Sequence, residues 1–584
     1  MYKSFIQTHR GTFNVLVGYL FAFLVMVAFI YMVGHGKILY FGADFQFHYN
    51  RMVEFHQNIA HGNWFPVIST YSANQIGSNV ITMYPPFPTY LGALLMFVMP
   101  SVSVVYTLLM IQFMLAFGVA RFVAARMKLS NIEANVVGIL YMTATPLVTQ
   151  SIQQWVMGEV WAMSFMPLVI LGFYRLTYMN FSSKTRFSLK ESWSAIVPLV
   201  VGFTAISYCH VLSLAIVGVF SAMYAALLMI FNKNRIQILY NLIVSGIWSL
   251  ILAAAFFVPF VINTKSTKMF TPHADQALNT WSAPQFIGIW EQVFEFRSNT
   301  VGIIGVISII LGFFLFFKFN RKLKMTWLIS CFMVIAGTYY VWVYLYKTPF
   351  SVIQFPHRIY ALPIFLLSLL IVFEIQKLYQ KSSHRNILYI VMIVLSCAML
   401  FSSVRPYWLN ELRQDARNQD FVPSAEHPVL MKPVGLWYVT SKTMDNLAKY
   451  WTTYGAFDYL PIETEKNSYL LNHQPIQNNQ VVESTVLSKP NALAYKGDYK
   501  PGNLVLPVVA YNAKYKVVDQ NGQHLNCWVN ENKQLVAEVT KTTTEVTVTR
   551  IVSLSEVISI GTSMVTIPTS IGFAIWYQRK QKNS

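Results

Sequence analysis

Residues 12–51 read TFNVLVGYLFAFLVMVAFIYMVGHGKILYFGADFQFHYNR. From Thr12 to Val33 the run carries no charge, and it has the length that crosses a hydrocarbon core, about 20 residues for about 30 Å. It is too long for a signal-peptide core and has no small-residue cleavage pattern, so it reads as a retained first span. The following stretch turns polar and holds an acid, an imidazole and a guanidinium, Asp44, His48 and Arg51. A helix beginning near Asp44 brings these three to one face through the i, i+4, i+7 spacing. At a membrane surface such a set can hold a phosphate and activate a hydroxyl; the bland alternative is a loop whose charges are simply solvated.

The same alternation of apolar run and polar turn continues outward from this segment. The chain has 584 residues, 55% hydrophobic, 15% aromatic and 11% charged, with a mean hydropathy of +0.45. Soluble domains average about 25% charged residues, and so few charges cannot cover a water-facing surface of this size. Net charge is +19, but the positives lie in short clusters between apolar blocks: Arg121, Arg126 and Lys128; Lys184, Arg186 and Lys190; Lys233 and Arg235; Lys318, Arg321, Lys322 and Lys324; Lys377, Lys381 and Arg385; Arg579, Lys580 and Lys582. That is the positive-inside pattern of a multi-pass membrane protein, and it leaves no role for nucleic acid. Cys209, Cys331, Cys397 and Cys527 have neither metal nor redox spacing.

Taking basic ends as cytoplasmic predicts an all-α polytopic protein of about twelve spans with both termini inside. The spans fall at 12–34, 104–125, 132–150, 160–178, 193–208, 211–231, 236–262, 301–317, 326–346, 359–376, 387–403 and 554–577. A long first outer loop occupies 35–103. Its apolar stretch Pro85–Pro100 is too short to cross, and crossing would put Arg121, Arg126 and Lys128 outside, so it reads as juxtamembrane or re-entrant. A second outer loop covers 263–300, with Lys265, Lys268, His273, Asp275, Trp290 and Glu291. Residues 1–403 thus form the membrane domain, 404–552 an outer mixed or β domain, and 553–584 a last span with a basic tail. Strand-like runs at Leu504–Val509, Tyr515–Val518, Leu525–Val529, Val536–Val539 and Glu545–Val552 predict a small β-sandwich, with Asn521-Gly522 as a hairpin turn.

Three more residues join the candidate list. Glu159 sits where one span ends outside and the next begins, and ionisable groups at spans default to functional suspects; headgroup water is its plain alternative. Arg358, in Gln354-Phe355-Pro356-His357-Arg358, can fork onto phosphate oxygens, or serve as a snorkelling anchor. His210 lies at the corner between two spans, where a structural role is the simpler reading. Asp44 and Glu159 return to one face and could share acid–base work or chelate a divalent cation; the metal stays open. No phosphate-cradling Gly-rich loop, dinucleotide fingerprint or His-Glu-x-x-His motif is present, so no nucleotide or redox cofactor is expected. An outward-facing enzyme would then draw its activated group from a lipid-linked phosphate.

At these residues the chain resembles the GT-C superfamily of membrane glycosyltransferases, and within it the bacterial 6-pyruvoyl-tetrahydropterin synthase-related membrane proteins. The likeness rests on Asp44-Phe45-Gln46-Phe47-His48 with Arg51, Gly62-Asn63-Trp64-Phe65-Pro66, Tyr84-Pro85-Pro86-Phe87-Pro88-Thr89-Tyr90, Gly158-Glu159, Gln354-Phe355-Pro356-His357-Arg358 and Asp458-Tyr459-Leu460-Pro461. The last has Asp where Glu is more usual. The resemblance implies catalytic carboxylates at Asp44 and Glu159, and a donor-phosphate site of His48, Arg51, Arg358, Tyr84 and His210. The first loop lacks an Asp-x-Asp pair, which counts against metal dependence.

The function so implied is transfer of a sugar from a polyprenyl-phosphate donor to an envelope glycan at the outer face of a bacterial plasma membrane, with the β domain guiding the acceptor. Two rivals are a flippase for a lipid-linked glycan and a non-catalytic scaffold for envelope assembly. Transporters tend to show internal repeats and mid-membrane polar residues; here no repeat is evident and the polar candidates gather at one face.

Overall fold

The computed structural model describes residues 2–34, 38–41, 44–179, 188–269, 278, 300–379, 381–405, 437–444, 459–464 and 473–583. Its helices are α1 (Tyr2–Gly34), α2 (Phe45–Ala60), α3 (Val80–Met83), α4 (Phe87–Leu95), α5 (Ser101–Arg126), α6 (Asn131–Met142), α7 (Thr145–Thr149), α8 (Met157–Tyr178), α9 (Leu189–Cys209), α10 (Val211–Phe231), α11 (Arg235–Leu252) and α12 (Ala254–Ser266). They continue as α13 (Gly302–Leu315), α14 (Arg321–Ala336), α15 (Tyr339–Leu345), α16 (Pro363–Leu378), α17 (Ser382–Ser402) and α18 (Leu554–Asn583).

Among the described residues eight helices are long and apolar enough to cross a membrane, or ten if each of two bent pairs is one span. One pair, α6 with α7 and its extension, bends by 45°; the other, α14 with α15, bends by 61°. The expected span at 236–262 divides into α11 and α12, and α13 is a further short apolar helix. The stretch Pro85–Pro100 forms the nine-residue helix α4, about 14 Å long at 1.5 Å per residue and too short to cross.

Small residues set the closest helix crossings, as they do where lipid offers no hydrophobic drive for association. A Cβ on Gly172 of α8 would lie 2.4 Å from Leu199 Cγ and 3.1 Å from the Ala195 carbonyl of α9, and one on Gly202 would lie 3.2 Å from the Val169 amide. The turn into α6 is a capping box: Ser130 accepts from the Glu133 amide, and Glu133 accepts from the Ser130 amide. Arg175 donates to the Arg126 carbonyl, Lys322 lies 3.8 Å over the Tyr178 ring, and Gln376 donates to Glu133. The basic turns around Arg126, Lys322 and Lys377 therefore gather at one end of the bundle. Glu159 begins α8, whose 22 residues span about 33 Å, so it sits at the other.

Strands β3 (Ile476–Gln477), β4 (Gln480–Val481), β7 (Gly502–Val509), β9 (Cys527–Val529) and β10 (Gln534–Val539) form a five-stranded sheet in the order β4-β3-β7-β10-β9; β5 (Ser484–Lys489), β6 (Ala492–Tyr499), β8 (Tyr515–Asp519) and β11 (Thr543–Arg550) form a second in the order β5-β6-β11-β8. Leu493 and Tyr495 from one sheet and Leu504, Leu506 and Leu535 from the other share one core, which makes a β-sandwich. The Asn521-Gly522 turn departs from expectation. It closes only an isolated bridge, Val518 to His524, and then passes the chain between sheets, because β8 pairs with β11 while β9 pairs with β10. The strands from 476 to 499 carry few long apolar runs and escape a reading by hydropathy.

The sandwich is stitched to the first loop. Val67 N donates to Asn491 Oδ1, Thr70 Oγ1 to the Lys489 carbonyl, and Val509 N to the Ile76 carbonyl. Separately β1 (Ile38–Phe41) pairs antiparallel with β2 (Trp437–Thr440). If the α8–α9 crossing depends on its glycines, Gly172→Val should cost about 1–3 kcal/mol. A thermal midpoint in detergent that matches the wild type would refute that packing.

Candidate functional site

Asp44 is the N-cap of α2, and its amide donates to the Gln154 carbonyl, joining the first loop to the start of α8. On the same face as Asp44, His48 and Arg51 point toward the segment after α3. Arg51 Nη2 donates to the carbonyls of Tyr84 (3.0 Å) and Pro85 (2.7 Å), and the guanidinium lies 4.4 Å from the Tyr84 ring centroid. Burial pulls Arg51 down to about 10, still protonated at neutral pH. Burial first and the Arg51 charge second hold His48 well below the usual imidazole range, and burial pushes the Tyr84 phenol up. His48 is thus a neutral ring and Tyr84 a neutral hydroxyl.

A turn further along α2, Glu54 is wholly buried and knots the loop above it. It accepts from the amides of Thr70, Tyr71 and Ser72, from the Ser72 hydroxyl and from Asn58 Nδ2, at 2.8–3.0 Å. Burial raises its carboxyl and those amide donors oppose the rise. Sequence reasoning assigned Glu54 no part; its one signal was an acid set among apolar positions of α2.

Glu159 does not sit in headgroup water. It is 2% exposed, and Arg358 Nε donates to its Oε2 at 3.0 Å. Arg358, 8% exposed, is no snorkelling anchor: its Nη1 donates to the Ile353 carbonyl and to Gln354 Oε1. Two backbone features make this meeting possible. A π-turn at Gln150–Gln154 ends on Trp155 in the left-handed region, φ 57°, which re-aims the chain into α8; such irregular turns often sit at functional sites. Gly158 then lets Tyr84 and α9 come close, since a Cβ there would lie 2.6 Å from the Cys209 carbonyl and 2.7 Å from the Tyr84 hydroxyl.

His210 caps α10 by accepting from the Ser213 amide, a structural role, while its ring lies 5.8 Å from that of Tyr84. Tyr459 joins the group through Phe47 and Tyr84 at 6.3 and 6.2 Å. Asp44 lies within electrostatic reach of both Glu159 and Tyr84. All seven sequence candidates therefore collect at the end of the bundle away from the basic turns. Asp458, His273, Asp275, Trp290 and Glu291 lie outside the described residues.

Several polar atoms here are buried without a hydrogen-bond partner among the described residues: Arg51 Nε and Nη1, His48 Nδ1 and Glu159 Oε1. Buried polar atoms are satisfied in the great majority of cases, so this set fits a polar ligand carrying both acceptors and donors. A divalent cation fits less well. Among the described residues no three His, Cys, Asp or Glu side chains cluster as ligands, and one Glu159 oxygen is held by Arg358, so a cation here would draw most of its shell from water or substrate oxygens.

The fold and site define a multi-span membrane protein whose helical body and β-sandwich meet beside one buried, charged cluster. Residues 81–408, more than half of the chain, match the family described as 6-pyruvoyl-tetrahydropterin synthase related domain; membrane protein, and the chain belongs to that family. No curated protein matches the sequence. Two solved structures align with 90% of the chain. One is arabinofuranosyltransferase AftD from Mycobacteria, at 10% identity and a TM-score of 0.49; the alignment spans 40% of that longer protein. The other is ArnT from Cupriavidus metallidurans bound to undecaprenyl phosphate, at 8% identity and a TM-score of 0.33, over 97% of its length. At these identities the likeness concerns the course of the chain and says nothing of chemistry.

The lowered His48 has a consequence for stability. The unfolded chain takes up a proton near pH 6.5 and the folded ring resists it, so stability is present above that pH and is lost as pH falls. His48→Gln should make the decline in unfolding midpoint between pH 7 and pH 5 shallower. An unchanged slope would mean that the imidazole is not held neutral.

Proposed function

We propose that this protein is a membrane glycosyltransferase that moves a sugar from a polyprenyl-phosphate carrier to an envelope glycan on the side opposite its basic turns. The observation that carries the reading is the Glu159–Arg358 ion pair lying beside Asp44, Tyr84 and the unpartnered donors of Arg51. The positive-inside bias makes the basic end cytoplasmic. On that reading both termini are inside, and residues 404–552 are an outer domain flanked by the membrane domain (1–403) and the last span (553–584).

In the proposed reaction Asp44 accepts the proton of the acceptor hydroxyl as its oxygen attacks the anomeric carbon. The bond from that carbon to the phosphate oxygen breaks, and the lipid phosphate leaves with the electron pair. Arg358 has Nε and Nη1 engaged with protein, which leaves Nη2 for a phosphate oxygen, and Arg51 Nε and Nη1 add donors. Cations fixed in advance at the developing charge are usually the larger part of catalysis. Glu159 orients the Arg358 fork, and Tyr84, as a neutral hydroxyl, can donate to the sugar.

The test is the full chain in nanodiscs with labelled polyprenyl-phosphate sugar and an envelope glycan fraction. Released lipid phosphate is the expected product. Asp44→Asn should lower the rate by about 10²–10⁴-fold with folding intact, and Arg358→Lys, a point charge without a fork, by about 10²–10³-fold. Full activity in Asp44→Asn would remove that carboxylate from the mechanism. Movement of intact donor lipid across vesicles without cleavage would replace the transferase with a flippase.

A further inference from the structure

Positions 53, 56 and 57 fall on the face of α2 opposite Asp44, His48 and Arg51, at 100° per residue. There Val53, His56 and Gln57 border a cavity of about 730 Å³ whose other walls include Tyr71, Asn74 and Gln75 of the first loop and Val486, Leu487 and Ser488 of edge strand β5. That volume is within the usual range for small-molecule sites, about 300–1,000 Å³.

The chemistry of the walls is selective. In a chain of net charge +19, no carboxylate, amine or guanidinium lines this cavity among the described residues. Amides, hydroxyls, an imidazole and a phenol alternate with Val53, Met96 and Val486. Hydrogen-bonding groups set among apolar patches suit a molecule with many hydroxyls and apolar ring faces, and among the described residues no Lys or Arg stands here to pair with a phosphate or carboxylate.

The wall is also held in an unfavourable backbone form. Ala73, Asn74 and Gln75 have φ of 48°, 60° and 51°, and the left-handed region costs about 1–2 kcal/mol per residue for L-amino acids. Surrounding contacts fix it: Glu54 grips 70–72 from below, Gln75 Nε2 donates to Ser488 Oγ at 2.8 Å, and His473 bonds to the Asn74 carbonyl. Strain retained against such a cost clusters at ligand sites, and here two of the strained residues, Asn74 and Gln75, form part of the cavity wall.

We propose that this cavity binds a short stretch of neutral glycan, on the face of α2 opposite the charged cluster. His48 and His56 are two turns or so apart on α2, about 12 Å at 1.5 Å per residue. The site does not require the transferase reading to hold, since binding here involves no bond breaking.

The test uses the full chain in nanodiscs and saturation-transfer NMR with neutral di- and trisaccharides of hexoses and pentoses, the same glycans carrying a uronic acid, and a neutral peptide of similar size. Neutral glycans should bind, and Leu487→Trp, at a half-exposed position of β5, should weaken them at least tenfold. Asp44→Asn should leave this binding unchanged whatever it does to transfer. Preference for the acidic glycans or for the peptide, no glycan binding at all, or binding indifferent to Leu487→Trp would each overturn the proposal.

Discussion

A buried pair of opposite charges is costly to assemble and more costly to break. Removing one partner typically costs about 3–5 kcal/mol because the other is left uncompensated. The Glu159–Arg358 contact has this character: both side chains lie at a helix-bundle end with almost no solvent access. It ties the start of α8 to the turn ahead of α16, two segments about 200 residues apart in sequence. The left-handed Trp155, the missing side chain at Gly158 and the carbonyls around Ile353 all serve to let these two groups meet.

The first loop is ordered by three separate grips around one helix. Arg51 holds the chain after α3 through two carbonyls, Glu54 gathers the amides of 70–72, and strand β5 with its neighbours pins the segment from outside. Acid and base thus serve as hydrogen-bond hubs as well as candidate chemistry. A helix of 16 residues would be marginal alone in water; here most of its surface is covered, and the polar side chains of its two faces are held for two different neighbourhoods.

Much of this was legible in the sequence. The length of each apolar run and the sign of the turns between them gave the helical body, and the i, i+4, i+7 spacing after Asp44 gave α2 and its charged face. Glu159 stood out because ionisable residues at spans are expensive, and Arg358 because a guanidinium at that place can fork onto phosphate oxygens. Their mutual contact could not be read, since it depends on a π-turn and a left-handed residue that leave no periodic trace. Nor could Glu54's role: four donors from a segment one loop away are a matter of tertiary closure. The Asn521-Gly522 pair marked a real reversal, but local turn chemistry does not say which sheet the next strand will join.

The pairing of Ile38–Phe41 with Trp437–Thr440 sets an order of events during biogenesis. A ribosome adding about 5–20 residues per second delivers the second partner some twenty seconds to over a minute after the first. Through that interval the opening segment has been delivered to the membrane with its hydrogen-bonding edge unmet. The earlier strand is thus completed by one made about 400 residues later, and the cell would have to shelter that unfinished edge throughout the interval.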